Sequence, residues 1–309
     1  MDRRLFLAAA PLSAAAAAAR PPGKPVTPVL DTHQHLWDLA ALRLDWLKPG
    51  NPLYKSFTPA DYAAATAGQG VTKSVYMEVD VTPADKQKEA DFATELCLSG
   101  KTPTVAAVVG GRPADAGFPD YVKQFKGSKV VKGIRQVLQG PDFPAGFCLK
   151  PEFVRGVQRL GELGLTFDLC GPPAELTSFA KLVGLCPGTR FVLDHGGNPR
   201  VDFTPAQRDA WAAGLKAVAA HKHAVCKLSG FAVNGPPGSA TAAGVKPYAD
   251  AILDVFGAGR VMFGGDWPVV TRALPYAGWL DVVRGVLAAR PAGESRAVLH
   301  DTAAAFYGL

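Results

Sequence analysis

The segment Val29–His35 reads VLDTHQH, a short apolar run that ends in two histidines. Its length and its apolar start are typical of a buried β-strand. Side chains alternate across a strand, so that His33 and His35 share one face near its end. Two imidazoles on one face can chelate a divalent metal. The segment therefore predicts a strand whose carboxyl end carries chemistry.

Seven more runs of the same kind follow, and most are almost continuously apolar, as strands buried on both faces are. They are Lys73–Val79, Thr104–Gly110, Val130–Gln136, Leu165–Cys170, Arg190–His195, Ala224–Ser229 and Val261–Asp266. Eight strands that alternate with helices over ~250 residues predict a single-domain (β/α)8 TIM barrel of the α/β class. A doubly wound open sheet is the alternative, although no glycine-rich phosphate loop follows the first strand.

Helix-like segments separate the strands. They are Thr58–Gly68, Thr82–Leu98, Pro151–Leu163, Pro173–Leu185, Thr204–His221, Val245–Phe256 and Pro275–Ala289. Thr58, Thr82 and Thr204 each precede a proline, which is typical of a helix that begins with a threonine cap. We therefore expect a capped helix at each of these three residues.

The composition narrows the class of protein. Hydrophobic residues make up 48% of the 309 residues and charged residues 19%, which excludes a disordered or fibrous protein. The formal net charge of +6 includes no long basic run, so we expect no nucleic-acid partner. No apolar stretch reaches the ~20 residues that cross a bilayer, so we expect no membrane association. A small-molecule substrate is the expected partner, and the oligomeric state is left open.

The first 20 residues have the pattern of an export signal. Arg3 and Arg4 precede an Ala-rich apolar run, and a proline-rich stretch follows that run. The arginine pair resembles a bacterial twin-arginine signal. We expect residues 1–20 to be a twin-arginine-type signal peptide and residues 21–309 to be the barrel domain. The protein is then periplasmic or secreted, and a cytosolic protein with an Ala-rich tail is the alternative.

The cysteines do not predict a disulfide framework. Their number, five, is odd, and none forms a C-x-x-C pair. Cys170 and Cys226 lie inside apolar strand-like runs, where a thiol packs as a small hydrophobic group. We therefore expect free, buried thiols.

Polar residues mark the carboxyl ends of two late strands, which is where a (β/α)8 barrel places its active site. The sixth strand ends in Asp194 and His195, and the eighth ends in Asp266. We expect His195 to bring a third imidazole into the barrel mouth, while alternation turns Asp194 the opposite way. Asp266 can accept a proton from water, ligate a metal, or do both.

Four charged residues on other strands have open roles. Glu78 can ligate a metal, contact substrate or form a salt bridge, because a buried carboxylate needs a partner. Arg135 suits an anionic or oxygen-rich substrate, and the alternative is an ion pair with Glu78 or another acid. Lys227 is as compatible with a buried ion pair as with catalysis. Asp168 can face the barrel interior or a neighbouring helix.

Several other catalytic patterns are absent from the sequence. It contains no G-x-S-x-G elbow, no H-E-x-x-H helix and no phosphate-binding P-loop. A serine hydrolase of the α/β type is therefore unsupported.

Leu30–Asp38 reads LDTHQHLWD, which resembles the opening of the amidohydrolase-related hydrolases within the amidohydrolase superfamily. Its H-Q-H-x-W-D form is similar to the branch that contains L-fuconolactonase, L-rhamnonolactonase and 2-pyrone-4,6-dicarboxylate lactonase. Three later motifs agree with this resemblance: VLDHGGNP at 192–199, KLSG at 227–230 and MFGGDWPV at 262–269. The resemblance extends from Val29 to Leu309.

The resemblance implies a barrel with hydrolytic chemistry at His33, His35, His195 and Asp266, and we expect one divalent ion, zinc, at these residues. The expected ligands are His33, His35, His195 and Asp266. Two metals are not expected, because the only lysine on the fourth strand, Lys132, lies too early to be a bridging ligand. Some lactonases of the branch work without a metal. We nevertheless expect the ion, because the charge of Glu78 beside the histidines favours a cation.

The leading hypothesis is a lactonase that opens a sugar-acid or dicarboxylate lactone. In this hypothesis Asp266 activates water and His195 assists. The residues expected to contact substrate are Glu78, Arg135, Lys227 and Trp267. A metal-dependent decarboxylase of an aromatic acid is the alternative, because it needs the same histidines and aspartate. A third hypothesis, a binding protein without activity, is disfavoured because these residues are all present.

Overall fold

A computed structural model describes residues 27–309, and they form one parallel barrel. Eight strands are hydrogen-bonded in sequence order, and each pairs in parallel with the next. Their bounds are β1 Val29–Gln34, β2 Val71–Met77, β3 Thr104–Gly110, β4 Val131–Val137, β5 Thr166–Cys170, β6 Phe191–Leu193, β7 Ala224–Leu228 and β8 Val261–Phe263. The predicted (β/α)8 TIM barrel is confirmed, and the open-sheet alternative is wrong.

The seam between β1 and β8 is closed by the last residue of β8 and by the segment that follows it. The Thr32 hydroxyl donates to the Phe263 carbonyl oxygen at 2.7 Å, and the Asp266 amide donates to the His33 carbonyl at 2.8 Å. The His35 amide donates to the Trp267 carbonyl at 2.7 Å. These bonds place the end of β1 directly beside Asp266.

Ten α-helical segments lie in the described chain, most of them packed around the barrel. They are α1 Pro59–Thr66, α2 Lys86–Leu98, α3 Phe118–Lys123, α4 Pro151–Glu162, α5 Leu176–Leu185, α6 Pro205–Ala219, α7 Ala242–Phe256, α8 Tyr276–Ala288, α9 Glu294–Arg296 and α10 Thr302–Tyr307. The sequence did not predict α3, which is short and has only one turn and a half to reveal its periodicity.

Two of the three predicted threonine caps form. Thr58 accepts a bond from the Asp61 amide, and Thr204 accepts one from the Gln207 amide, each within a complete capping box. Thr82 makes no such bond, because a 3₁₀ turn over Pro83–Asp85 comes before α2. The predicted cap at Thr82 is therefore wrong, although the helix itself is present.

Apolar side chains fill the barrel on both faces of the sheet. The lower part of the interior holds a small cluster that includes Leu30, Val108 and Met262, against which Ala303 and Tyr307 of α10 pack. A second and larger cluster lies between the strands and the surrounding helices. Because α10 covers the lower end, the interior opens only toward the carboxyl ends of the strands among the residues described here.

All five cysteines are free and buried, as expected. Within residues 27–309, no helix has both the length and the apolar character that crossing a membrane requires. The predicted signal peptide at residues 1–20 lies outside the described residues, so that peptide and the export it implies stay predictions.

Candidate active site

Three side chains converge where β1 and the segment after β8 end. We call His33, His35 and Asp266 the acceptor cluster. His35 Nε2 lies 3.4 Å from Asp266 Oδ1, and His33 Nε2 lies 3.8 Å from the same oxygen. Nδ1 of His35 lies 3.0 Å from the Met77 carbonyl oxygen, which only accepts, so that Nδ1 is assigned the proton.

The assigned proton leaves the Nε2 lone pair of His35 facing a carboxylate, which also accepts when ionised. Two acceptors at 3.4 Å are stabilised by a cation between them, either a proton or a metal. A tetrahedral zinc site holds its ligand atoms roughly 3.3–3.5 Å apart, as its bond lengths require. The acceptor cluster therefore fits a divalent ion.

Charged groups contact both ring nitrogens of His33. Its Nε2 lies 3.3 Å from an Arg135 guanidinium nitrogen, which only donates, so that Nε2 is assigned as the unprotonated nitrogen and a metal ion bound there would replace this contact. Its Nδ1 lies 3.6 Å from Asp194 Oδ1 and 3.4 Å from the Lys227 ammonium. Burial lowers the pKa of His33 well below its ordinary value, and the neighbouring His195 and Lys227 lower it further. The ring is therefore neutral near pH 7.

His195 lies beside His33, with 4.4 Å between the ring centroids. Its Nδ1 is 2.8 Å from the Ser229 hydroxyl, so that its Nε2 is left for the cavity. Burial lowers the pKa of His195 as well, although Asp266 and Asp194 oppose this shift. His195 is therefore a neutral imidazole near the acceptor cluster.

The expected orientation of Asp194 is wrong. This residue does not face away from the barrel but lies in its interior, 3.2 Å from Arg135 and 3.0 Å from Lys227. Val192 packs in the barrel interior, so that alternation along β6 places Asp194 inward as well; the φ of +54° at His195 ends the strand after Asp194, and the prediction was wrong to extend the regular alternation through His195. Burial raises the pKa of Asp194, but Lys227 and Arg135 outweigh it and hold the pKa at about 2.

Glu78 and Arg135 form the salt bridge that was one of the alternatives. Arg135 Nε donates to Glu78 Oε1 at 2.6 Å, and a terminal nitrogen of Arg135 donates to the Glu78 backbone carbonyl at 2.6 Å. Glu78 Oε2 accepts from the Asp80 amide at 2.7 Å. Protein groups thus satisfy the hydrogen bonds of the Glu78 carboxylate. The charge of Glu78 is therefore no longer an argument for a bound metal ion.

Lys227 and Asp168 face each other inside the barrel, below the acceptor cluster. The ammonium lies 2.7 Å from Asp168 Oδ2 and 3.0 Å from Asp194 Oδ1, and all three side chains are fully buried. Burial raises the pKa of Asp168 to about 7, against the pull of Lys227. Lys227 is therefore placed as an ion-pair partner beneath the site, and not in contact with the cavity.

A cavity of about 440 Å³ lies above these groups at the barrel mouth. Of the residues predicted to act on substrate, Arg135, His195 and Asp266 line it. Glu78, Lys227 and Trp267 do not line it. Trp267 packs edge-on against Phe57, with ring centroids 5.3 Å apart, beneath the cavity wall.

Sequence reasoning missed other residues of the cavity wall. They include Trp37, Trp46, Asp80, Asn198 and Asn234. Trp37 and Asn198 stand inside quoted motifs, and Asp80 lies two residues after Glu78, so that proximity to the motifs was an available signal. Trp46 has no such signal, because it lies in an irregular loop.

Asp31 fixes the relative position of β1 and Asp266. Its Oδ1 accepts from the Gly265 amide at 2.7 Å and from the His33 amide at 3.0 Å. Its Oδ2 accepts from the Tyr62 hydroxyl at 2.8 Å. One carboxylate thus joins the two chain segments that carry the acceptor cluster.

Replacing Glu89 by glutamine is expected to flatten the pH dependence of stability. Burial, with the charge of Glu78, raises the pKa of Glu89 from 4.5 to about 8. The native state therefore keeps a proton that the unfolded state releases, so that wild-type stability falls as the pH rises from about 5 to 8. As the pH rises from 5 to 8, we expect the Tm of the wild type to fall relative to that of Glu89→Gln by about 3 °C or more.

Thermal unfolding at several pH values measures this difference. Glu95→Gln is the matched control, because Glu95 is an exposed residue of the same helix. A Tm difference between Glu89→Gln and wild type that stays constant from pH 5 to 9 contradicts a raised pKa.

Fold and site together define a parallel-barrel protein with a histidine and carboxylate cluster at its strand ends. A family model described as amidohydrolase matches residues 30–309, and the chain belongs to this family. The resemblance drawn from the sequence is confirmed.

Three relatives show the likeness over nearly the whole barrel. The L-fucono-1,5-lactonase of Burkholderia ambifaria is 30% identical over 261 residues, which cover 81% of this chain and 85% of that protein. The L-fucono-1,5-lactonase of Burkholderia multivorans is 29% identical over 292 residues, covering 91% and 96%. An amidohydrolase from Burkholderia multivorans, solved with bound zinc, superposes with a TM-score of 0.81 at 27% identity, covering 91% of this chain and 99% of that one.

Proposed function

We propose that this protein is a hydrolase that opens lactone rings with a water molecule activated by Asp266. The observation that carries the proposal is the acceptor cluster, which brings a carboxylate and two imidazoles together and of which His35 and Asp266 line the cavity. The relatives named L-fucono-1,5-lactonase support a lactone as the substrate.

We further propose that the site holds one divalent ion, zinc. His33, His35 and Asp266 supply the ligands that the geometry supports directly. His195 is the fourth candidate, and its ligand atom lies close to those of His33 and Asp194. A bound ion of this kind polarises a carbonyl group and lowers the pKa of water. The neutral state of His33 favours such binding, because the unprotonated ring nitrogen is the one that ligates.

Three side chains carry out the other parts of the proposed reaction. Asp266 accepts the proton of the attacking water and returns it to the alkoxide that leaves when the ring opens. The bond between Nδ1 and Ser229 directs His195 Nε2 into the cavity, where this nitrogen has one of two roles: unprotonated, it is the fourth ligand of the ion, and protonated, it donates to the lactone carbonyl oxygen. Arg135 lines the cavity with its charge held in place by Glu78 and Asp194, so that it adds a fixed positive potential near the developing oxyanion.

Assays with purified protein test the proposed reaction. We expect acid release from L-fucono-1,5-lactone or from another aldonolactone, followed with a pH indicator in weak buffer. Hydroxybenzoates test the decarboxylase alternative in parallel. Release of CO₂ from a hydroxybenzoate, without opening of any lactone, would reverse the order of the two hypotheses.

The metal has its own test. Elemental analysis is expected to find about one equivalent of zinc per chain, and His35→Gln is expected to lose most of it because one of the ligands is removed. His221→Gln is the control, since His221 precedes β7, at the amino ends of the strands, and lines no part of the cavity. Less than about a tenth of an equivalent of any transition metal, with activity unchanged after dialysis against a chelator, refutes the metal and leaves the lactonase proposal standing.

A further inference from the structure

Four residues other than glycine have a left-handed backbone within the described chain, and all four line the cavity. They are Asp80, His195, Asn198 and Asp266, with φ between +49° and +57°. Such a conformation costs roughly 1–2 kcal/mol for a residue with a side chain, and it concentrates at functional sites. His195 and Asp266 already have roles in the proposed reaction, whereas Asp80 has none.

The carboxylate of Asp80 has no hydrogen-bond or ion-pair partner anywhere in residues 27–309. Its backbone is nevertheless firmly held, because the Asp80 amide donates to Glu78 Oε2 at 2.7 Å. Glu78 is in turn fixed by Arg135 at 2.6 Å. The protein thus holds an unpaired carboxylate in a strained conformation at the cavity wall, and the buried salt bridge supports it.

Aromatic and apolar groups surround this carboxylate. Trp46 donates its indole N–H to the Val79 carbonyl oxygen at 2.8 Å, so that its ring is tied to the residue before Asp80. Trp37 lies behind it, with ring centroids 5.9 Å apart, and both tryptophans line the cavity. An acceptor beside an aromatic surface suits a ring that carries hydroxyl groups on an otherwise apolar skeleton.

The charges around Asp80 disfavour an anion at this part of the cavity wall. The charged residues that line it are Asp80, Arg135 and Asp266. Arg135 is paired with Glu78 and Asp194, and the charge of Glu78 acts on Asp80 more strongly than that of Arg135 does, so that the wall at Asp80 keeps a negative potential. Burial and the charge of Glu78 raise the pKa of Asp80 to about 6, which still leaves it mostly ionised at neutral pH.

We propose that Asp80 is a substrate-recognition residue, which accepts hydrogen bonds from ring hydroxyls of a neutral, hydroxylated lactone and selects against lactones that carry a carboxylate. This inference rests on the proposed lactone opening. It adds to that proposal a residue that recognises the substrate. The sequence analysis considered sugar-acid lactones and dicarboxylate lactones, and this inference favours the sugar-acid lactones, which are neutral.

The test compares three lactones: a hydroxylated aldonolactone, the unsubstituted δ-valerolactone, and 2-pyrone-4,6-dicarboxylate. The variant is Asp80→Asn, because asparagine keeps the shape of the side chain and tolerates the left-handed backbone. We expect the ratio of kcat/KM for the aldonolactone over that for δ-valerolactone to fall by about 10- to 100-fold, as the loss of a hydrogen bond to a charged group predicts. The ratio for the dicarboxylate over δ-valerolactone is expected to rise.

Two further variants make the result specific. Asp45→Asn removes an exposed carboxylate that acts on Asp80 only through its charge, and we expect both ratios to stay at wild-type values. Asp80→Gly removes the carboxylate and also relieves the backbone strain, so that it should show the same change in ratios with a Tm equal to or above the wild type.

The two proposals fail in different ways. A wild-type enzyme that opens none of the lactones refutes the proposed function. A wild-type enzyme that opens them, with Asp80→Asn reducing all activities by the same factor, overturns the inference, because Asp80 would then act only through Glu78 and Arg135.

Discussion

Replacing Asp266 by asparagine is expected to lower kcat for lactone opening by about a thousandfold or more, with little change in folding. The amide cannot accept the proton of the attacking water, and a thousandfold loss corresponds to about 4 kcal/mol of barrier. Asparagine tolerates the left-handed backbone at this position, where φ is +53°, so the turn after β8 is retained.

Steady-state kinetics and thermal unfolding of the same samples check this expectation. Asp281→Asn is the matched control, because the Asp281 side chain is 71% exposed and lies on the outer helix α8. A kcat for Asp266→Asn within a factor of a few of the wild type removes Asp266 from the mechanism.

Replacing Lys227 by methionine is expected to destabilise the fold by roughly 3–5 kcal/mol. The ammonium compensates Asp168 and Asp194, and all three side chains are fully buried. Removing the cation leaves two carboxylates in the barrel interior with too little positive charge, and Arg135 alone remains beside Asp194. This loss in the free energy of unfolding is the cost of leaving a buried charge uncompensated. It does not measure the contribution of the ion pair itself to stability.

Denaturant unfolding gives the free energy of unfolding for this variant. Lys246→Met is the matched control, because Lys246 pairs with Asp250 on the partly exposed surface of α7, where such a pair contributes less than about 1 kcal/mol. Adding Asp168→Asn to Lys227→Met should restore part of the loss. Equal stability of Lys227→Met and Lys246→Met contradicts a structural role for the buried cation.

Much of the site could be predicted from sequence because strand ends converge in a barrel. Once eight strands were recognised, His33, His35 and Asp266 had to meet at one end, and the structure brings them together. The pairing of Glu78 with Arg135 was open, because it depends on the stagger between β2 and β4, which no periodicity reveals.

The positions of other site residues could not be predicted, because they depend on turns of the backbone that the sequence pattern does not reveal. A single positive φ at His195 ends the alternation of β6, so that Asp194 lies in the interior together with Val192 and His195 still reaches the mouth, and nothing in the residue types before the glycines indicates such a turn. Trp267 was expected at the substrate because it follows Asp266. The chain instead turns it toward Phe57, and Trp46 from a distant loop lines the cavity.

The left-handed residues of the cavity also restrict how this binding surface can diversify. Three of the four are aspartate or asparagine, the side chains that bear this backbone at the lowest cost after glycine. A mutation to a branched or bulky residue at Asp80, Asn198 or Asp266 would change the backbone as well as the side chain. New substrate preferences on this scaffold are therefore reached most easily by exchange among aspartate, asparagine and glycine at these positions, or through the loop that carries Trp46.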